Sequence, residues 1–254
     1  MRQRIVRNIA GVAVVLLVWE IFGHSGILRE EFFPPPSTVL VTLSELLVTP
    51  EFLRHLVATL LAWLIGVGIS MAIAIPAGLL LGNIRLLRLA VTSIIEFLRP
   101  IPAIAWWPLV FVILKGGPQT KIALAVYAAI WPILFNIVYA IGEIDRQYVE
   151  TARSFGMSRL RIATWVRLPD VLPFALTGMR ISVTFALLVI VSTELVFGGV
   201  PGLGTYVISY GEESGRMDIV LAIAVLVGLL GYLGNGLLAT AQKRFVVWSP
   251  GELR

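Results

Sequence analysis

Few residues of this chain are equipped for chemistry. There is no cysteine, and His24 and His55 are the only imidazoles, so disulfides, thiol catalysis and thiolate metal sites are excluded and no histidine ligand cluster forms. No Walker lysine follows a glycine-rich loop, and neither a catalytic triad nor a paired-carboxylate arrangement is present, which leaves no catalytic, metal or cofactor-binding residues. Three groups of polar residues remain. Glu96 and Arg99 sit three positions apart on one helical face of an apolar segment, next to Trp106 and Trp107. Ser182, Thr184, Ser192, Thr193 and Glu194 punctuate a second apolar segment. The third group is an arginine-studded island, Glu150 to Pro169, ETARSFGMSRLRIATWVRLP.

The elements that must position these residues are membrane helices. Hydrophobic residues make up 58% of the 254 and charged ones 14%, against about 25% charge in soluble domains. Several windows of about 20 residues carry few or no charges, the length of a bilayer crossing. The fold class is therefore all-α polytopic membrane protein, a single transmembrane domain over 1–254 with six transmembrane helices expected at 9–23, 56–81, 90–114, 122–141, 174–197 and 219–241. An outer interfacial helix is expected at 37–48, capped by Ser37 after the stiff Pro34-Pro35-Pro36 run. Thirteen basic residues fall in the cytoplasmic segments of this topology and five in the outer ones. That bias places both termini in the cytoplasm. The net charge of +5 is assigned to the anionic inner leaflet, with membrane lipid as the partner and no nucleic acid.

Within the scaffold, Gly66, Ser70, Ala74 and Gly78 form a small-residue stripe suited to close helix packing. Pro76 is expected to bend its helix, and Pro100, Pro102 and Pro108 to interrupt the third span. Glu96 and Arg99 serve either structure or a gate, and the two tryptophans either packing or pathway lining. Glu194 supports the glycine-rich outer segment Gly198–Gly204, closes a gate, or contacts solute. The nearby hydroxyls Ser182, Thr184, Ser192 and Thr193 are alternative solute contacts.

The island is too polar to span. It reads as an amphipathic helix over 150–163, with Ala152, Phe155, Gly156 and Leu160 toward one side and Arg153, Arg159 and Arg161 elsewhere. Glu150 is placed near its amino end, where the helix dipole favours an acid. Gly156 in a helix interior costs about 1 kcal/mol, tolerable if a partner surface must approach the backbone there or if the helix bends. Pro169 and Pro173 are expected to redirect the chain before the fifth span.

Glu150-Thr151-Ala152, Gly156, nine residues, then Val166-x-Leu168-Pro169 resembles the conserved loop of binding-protein-dependent ABC importer permeases, written EAA, three residues, G, nine residues, I, one residue, LP. Thr151 and Val166 are its two departures. Pro102 to Leu109, and Glu194 followed by Gly202-Leu203-Gly204, resemble the sulfonate, taurine, nitrate and bicarbonate branch. The resemblance implies a type I importer permease fold whose island is a cytoplasmic coupling helix. Glu150, Ala152, Phe155, Gly156, Met157, Ser158, Arg159, Leu160, Leu168 and Pro169 would then contact an ATPase. It further implies a second permease subunit, an identical copy, two cytoplasmic ABC ATPase subunits that use ATP and Mg, and an extracytoplasmic solute-binding protein. The chain itself would bind no cofactor and would reside in the bacterial inner membrane. The solute would be a small anion such as a sulfonate, nitrate or bicarbonate. Alternatives are a pyrimidine precursor or aromatic carboxylate carried the same way, or an ATP-independent secondary transporter.

Overall fold

A computed structural model of the protein describes residues 2–27, 29–98 and 100–246. Every regular element among them is helical: α1 (Arg2–His24), α2 (Pro36–Leu46), α3 (Pro50–Asn83), α4 (Arg85–Leu98), α5 (Trp107–Leu114), α6 (Pro118–Glu143), α7 (Arg146–Ser154), α8 (Arg159–Ile162), α9 (Leu168–Phe197), α10 (Leu203–Tyr206) and α11 (Met217–Phe245). This is an all-α polytopic membrane fold. Large apolar side chains stand exposed along α1 and α3, among them Val15, Ile21, Leu61 and Leu64. Only a lipid surround makes such surfaces stable.

Among the described residues, four helical stretches are long and apolar enough to cross a bilayer: Pro50–Asn83, Pro118–Glu143, Leu160–Phe197 and Met217–Arg244. The third expected span is broken into Leu86–Leu98 and Ala103–Leu114, bent by 86°. Pro100 and Pro102 remove donors and disfavour helix in the residues before them, and a single 3₁₀ turn over Ala103–Trp106 restarts the chain. The apolar part of α1, Ala10–His24, is shorter than the others. Pro76, Pro132 and Pro173 lie within continuous helices.

Two compact units are distinguished, Met1–Thr59 with Thr193–Leu229, and Leu60–Ser192 with Leu230–Arg254. In the first, α2 starts at Pro36, so Ser37 is inside the helix and is not its cap. The capping work falls instead to Glu20, which accepts from the Ser37 N–H at 3.0 Å and its hydroxyl at 2.6 Å. Proline at the first helical position needs no cap of its own, which is why the sequence tolerates the shift. Trp19 donates its indole N–H to the Pro34 carbonyl at 3.2 Å.

In the second unit the small-residue stripe packs α3 on α6. A Cβ on Gly66 would stand 3.2 Å from Ala125, and one on Gly78 2.9 Å from Ile137. The Ser70 hydroxyl donates within α3, to the Gly66 carbonyl at 2.7 Å. Gly178 of α9 lies so close to α6 that a Cβ would stand 2.7 Å from the Pro132 carbonyl oxygen. The buried core here gathers Ala74, Ile133, Ile137, Val171 and Ala175.

Candidate functional site

The island folds as a helical hairpin, where one helix was expected over 150–163. Asp145 caps α7, its carboxylate accepting from the Gln147 N–H at 2.9 Å. Glu150 therefore sits mid-helix, not at the amino end. The helix stops at Ser154 because Gly156 adopts a φ of 73°, the left-handed region. The Gly156 N–H reaches the Arg153 carbonyl at 2.9 Å and the Met157 N–H reaches the Ala152 carbonyl at 3.1 Å. This pair of bonds is the Schellman closure, which glycine favours. Gly156 thus ends a helix and does not weaken the interior of one. A Cβ there would meet nothing within 4 Å, so backbone conformation and not space selects glycine.

Ala152, Val149 and Ile162 form a small buried core with Ile144, Met157 and Val166 packed on it. The motif's alanine and its Val166 are accordingly the packing side of the hairpin. Phe155 and Leu160 point the other way, 83% and 75% exposed, and Trp165 is 77% exposed. Ser158 places its hydroxyl 3.4 Å from the Arg161 N–H. Arg159 opens α8, and its side chain lies outside what is described. A π turn, Ala163–Arg167, leads into Leu168 and Pro169, the first residues of α9. Pro169 and Pro173 do not redirect the chain, which is helical from Leu160 to Phe197. The π turn absorbs the strain where Pro169 offers no N–H. Beside the hairpin a polar pocket of about 380 Å³ is lined by Asn83, Arg88, Glu150, Arg153 and Arg167, with Arg167 donating to the Asn83 side-chain oxygen.

A second feature of this unit is an apolar cavity of about 610 Å³, walled by Pro100–Ile104, Tyr127, Trp131, Phe135, Asn136, Ile181, Phe185, Leu188 and Ser192. The broken third span supplies one wall and α9 another. Trp106 packs edge-on to Tyr127 with centroids 6.0 Å apart, and Trp107 packs on Phe111 at 4.7 Å. Ser182 is buried and donates to the Ala129 carbonyl at 2.5 Å, so its hydroxyl ties α9 to α6. Thr184 is exposed on α9. Glu96 is exposed, and Arg99 lies outside the described residues.

Glu194 and Thr193 are buried in the first unit. The Glu194 carboxylate accepts the Thr59 hydroxyl at 2.9 and 3.0 Å and the Gly204 N–H at 3.1 Å. Thr59 in turn accepts the Leu203 N–H at 2.8 Å. His55 Nδ1 lies 2.8 Å from the Gly202 carbonyl and 3.0 Å from its N–H. A Cβ on Gly202 would fall inside the Glu194 carboxylate. The acid is therefore hydrogen-bonded to the glycine segment at the start of α10. Of its collaborators, His55 stands out in the sequence only as an imidazole without a ligand cluster, and Thr59 goes unnoticed because nothing in an apolar stretch marks a lone threonine as a relay.

The sequence pattern described as "Binding-protein-dependent transport system inner membrane component" matches residues 74–247. The chain belongs to this family. The permease is 30% identical over 94% of its length to the bicarbonate transport system permease protein CmpB of Synechococcus elongatus, covering 86% of that protein. It is 29% identical to the taurine transport system permease protein TauC of Escherichia coli, covering 99% of this chain and 92% of that one. Its fold is similar to the MetNI methionine ABC transporter in inward-facing form, with a TM-score of 0.60, 24% identity and coverage of 78% and 97%. A second solved structure, an amino acid ABC transporter, aligns with a TM-score of 0.65 at 18% identity, covering 80% and 97%. The permease is thus the non-catalytic, multi-pass inner-membrane component of an ABC importer, whose ATP is hydrolysed by separate subunits. Membership sets aside an ATP-independent transporter. Among the described residues no group of three or more His, Asp or Glu is placed to hold a metal.

Proposed function

We propose that the permease carries a small oxyanion, of the sulfonate, nitrate or bicarbonate kind, that an extracytoplasmic binding protein delivers. Two copies of the chain would enclose the path, each crossing the membrane six times with both termini in the cytoplasm, counting α1 and the bent α4–α5 pair as crossings. The observation that carries this reading is the hairpin. Its motif residues Ala152, Gly156 and Val166, with Met157, fix a rigid turn, and Phe155, Leu160 and Trp165 stand exposed among arginines. Exposed apolar groups on a rigid mount are what a partner's cleft requires. Glu150, Ser158, Arg159, Leu168 and Pro169 complete the ATPase contact or its hinge into α9. Nucleotide-driven approach of two such hairpins would then move α9 and expose the cavity alternately to each side.

Glu96, Arg99, Trp106, Trp107, Thr184 and Ser192 belong to the path or its gates in this reading. A second cargo, an aromatic carboxylate or pyrimidine precursor, is favoured by the Tyr127, Trp131, Phe135 and Phe185 lining of the large cavity. The test is co-purification: Phe155→Ser with Leu160→Ser should strip the ATPase from a permease that still inserts. An undiminished ATPase yield would refute the hairpin as the docking element.

A further inference from the structure

The fifth span contains a cation that the proposed docking and gating residues leave unused. Arg180 lies twelve residues into α9, roughly 18 Å along its axis. Its guanidinium donates from Nε to Asn235 Oδ1 at 2.9 Å and from one terminal nitrogen to Gln242 Oε1 at 3.3 Å, both on α11. These amides are neutral. Among the described residues no carboxylate lies within 4 Å of it. A guanidinium held inside a membrane span without a counter-charge is costly, and such residues mark substrate pathways.

The surroundings suit a visiting anion. Arg180 lines a cavity of about 430 Å³ together with Thr177, Thr184 and Asn235. Ile181 and Phe185 wall both this cavity and the 610 Å³ one, so the guanidinium stands beside the larger cavity. Two of the five guanidinium N–H groups are occupied by the amides, which fix the plane and leave a free edge. That edge matches the paired oxygens of a carboxylate, nitrate, bicarbonate or sulfonate head.

We infer that Arg180 is the specificity-determining residue that receives the anionic head of the solute, with Asn235 and Gln242 as positioning residues. The inference rests on the anion-import reading above. The test uses the complete transporter with its ATPase and binding protein in proteoliposomes, with labelled bicarbonate, nitrate and taurine as probes. For whichever probe the unaltered protein imports, Arg180→Gln should raise the KM for import at least about tenfold. Arg180→Lys should recover part of the loss. In parallel, that probe should protect Arg180 of the unaltered protein from phenylglyoxal, read by mass spectrometry. Unchanged import by Arg180→Gln, or no protection, overturns the inference while leaving anion import intact. Import of a neutral solute with none of the three anions carried overturns both.

Discussion

The hairpin and the Glu194 node hold their polar groups in opposite ways. At the node a buried carboxylate, a threonine hydroxyl and the first N–H groups of a short helix satisfy one another, and no polar valence is offered outward. In the hairpin the backbone closes on itself through Gly156, yet Phe155, Leu160 and Trp165 are left uncovered. Charge alone is therefore a poor guide to where this protein meets others. A saturated charge is architecture, and an uncovered apolar side chain on a stiff mount is an interface.

The comparison breaks first at Glu194. Glu194→Ala should cost about 1–3 kcal/mol for each buried donor left without an acceptor, read as a fall in the thermal unfolding midpoint of the purified permease. A midpoint unmoved by that change would mean the node is not architecture. Gly202→Ala forces a methyl into the same carboxylate and should cost about 1–3 kcal/mol. Combining the two should cost less than their sum, because each removes the reason for the other's loss. In the hairpin, Gly156→Ala should cost about 1–2 kcal/mol of turn stability. Its expected signature is weaker ATPase co-purification, with Gly156→Asn intermediate because asparagine tolerates the left-handed region. Equal yields for glycine, asparagine and alanine would sink the turn's role.

The smallest effect sharpens the comparison from the exposed side. Tyr210 donates its phenol to Glu51 at 2.6 Å, and that bond, then burial and the Glu51 charge, raise its pKa above the usual tyrosine value. A raised value means the neutral phenol is favoured in the fold, so this contribution is complete below pH 10 and is lost as pH climbs through the elevated pKa. Tyrosinate absorbance should show two late-titrating phenols, Tyr206 raised chiefly by burial and Tyr210, and Glu51→Gln should move Tyr210 back toward the ordinary range.

Much of this was legible beforehand because it rests on local chemistry. The apolar windows gave the helices of the long spans, and the small residues of α3 gave its contact with α6. The motif spacing located the hairpin. Its shape was not legible, because glycine ends a helix or sits within one according to backbone angles that no spacing encodes. Ser37 and Glu20 exchanged the capping role since a side chain seventeen residues away outcompeted the local one. Arg180 was passed over for the same reason: its neighbours Asn235 and Gln242 come from a distant helix.

Gly178 presses its backbone against the Pro132 carbonyl, while the stripe on α3 seats the Ala125 and Ile137 side chains of α6. Between α9 and α6 there is no side-chain cushion to shear through, so sliding one along the other would drive main-chain atoms together, and α3 is keyed to α6 by the side chains its glycines admit. Those three segments travel as a single plank. Whatever swings the hairpin at one end of α9 must therefore carry the cavity walls with it, as a turned key carries its bit.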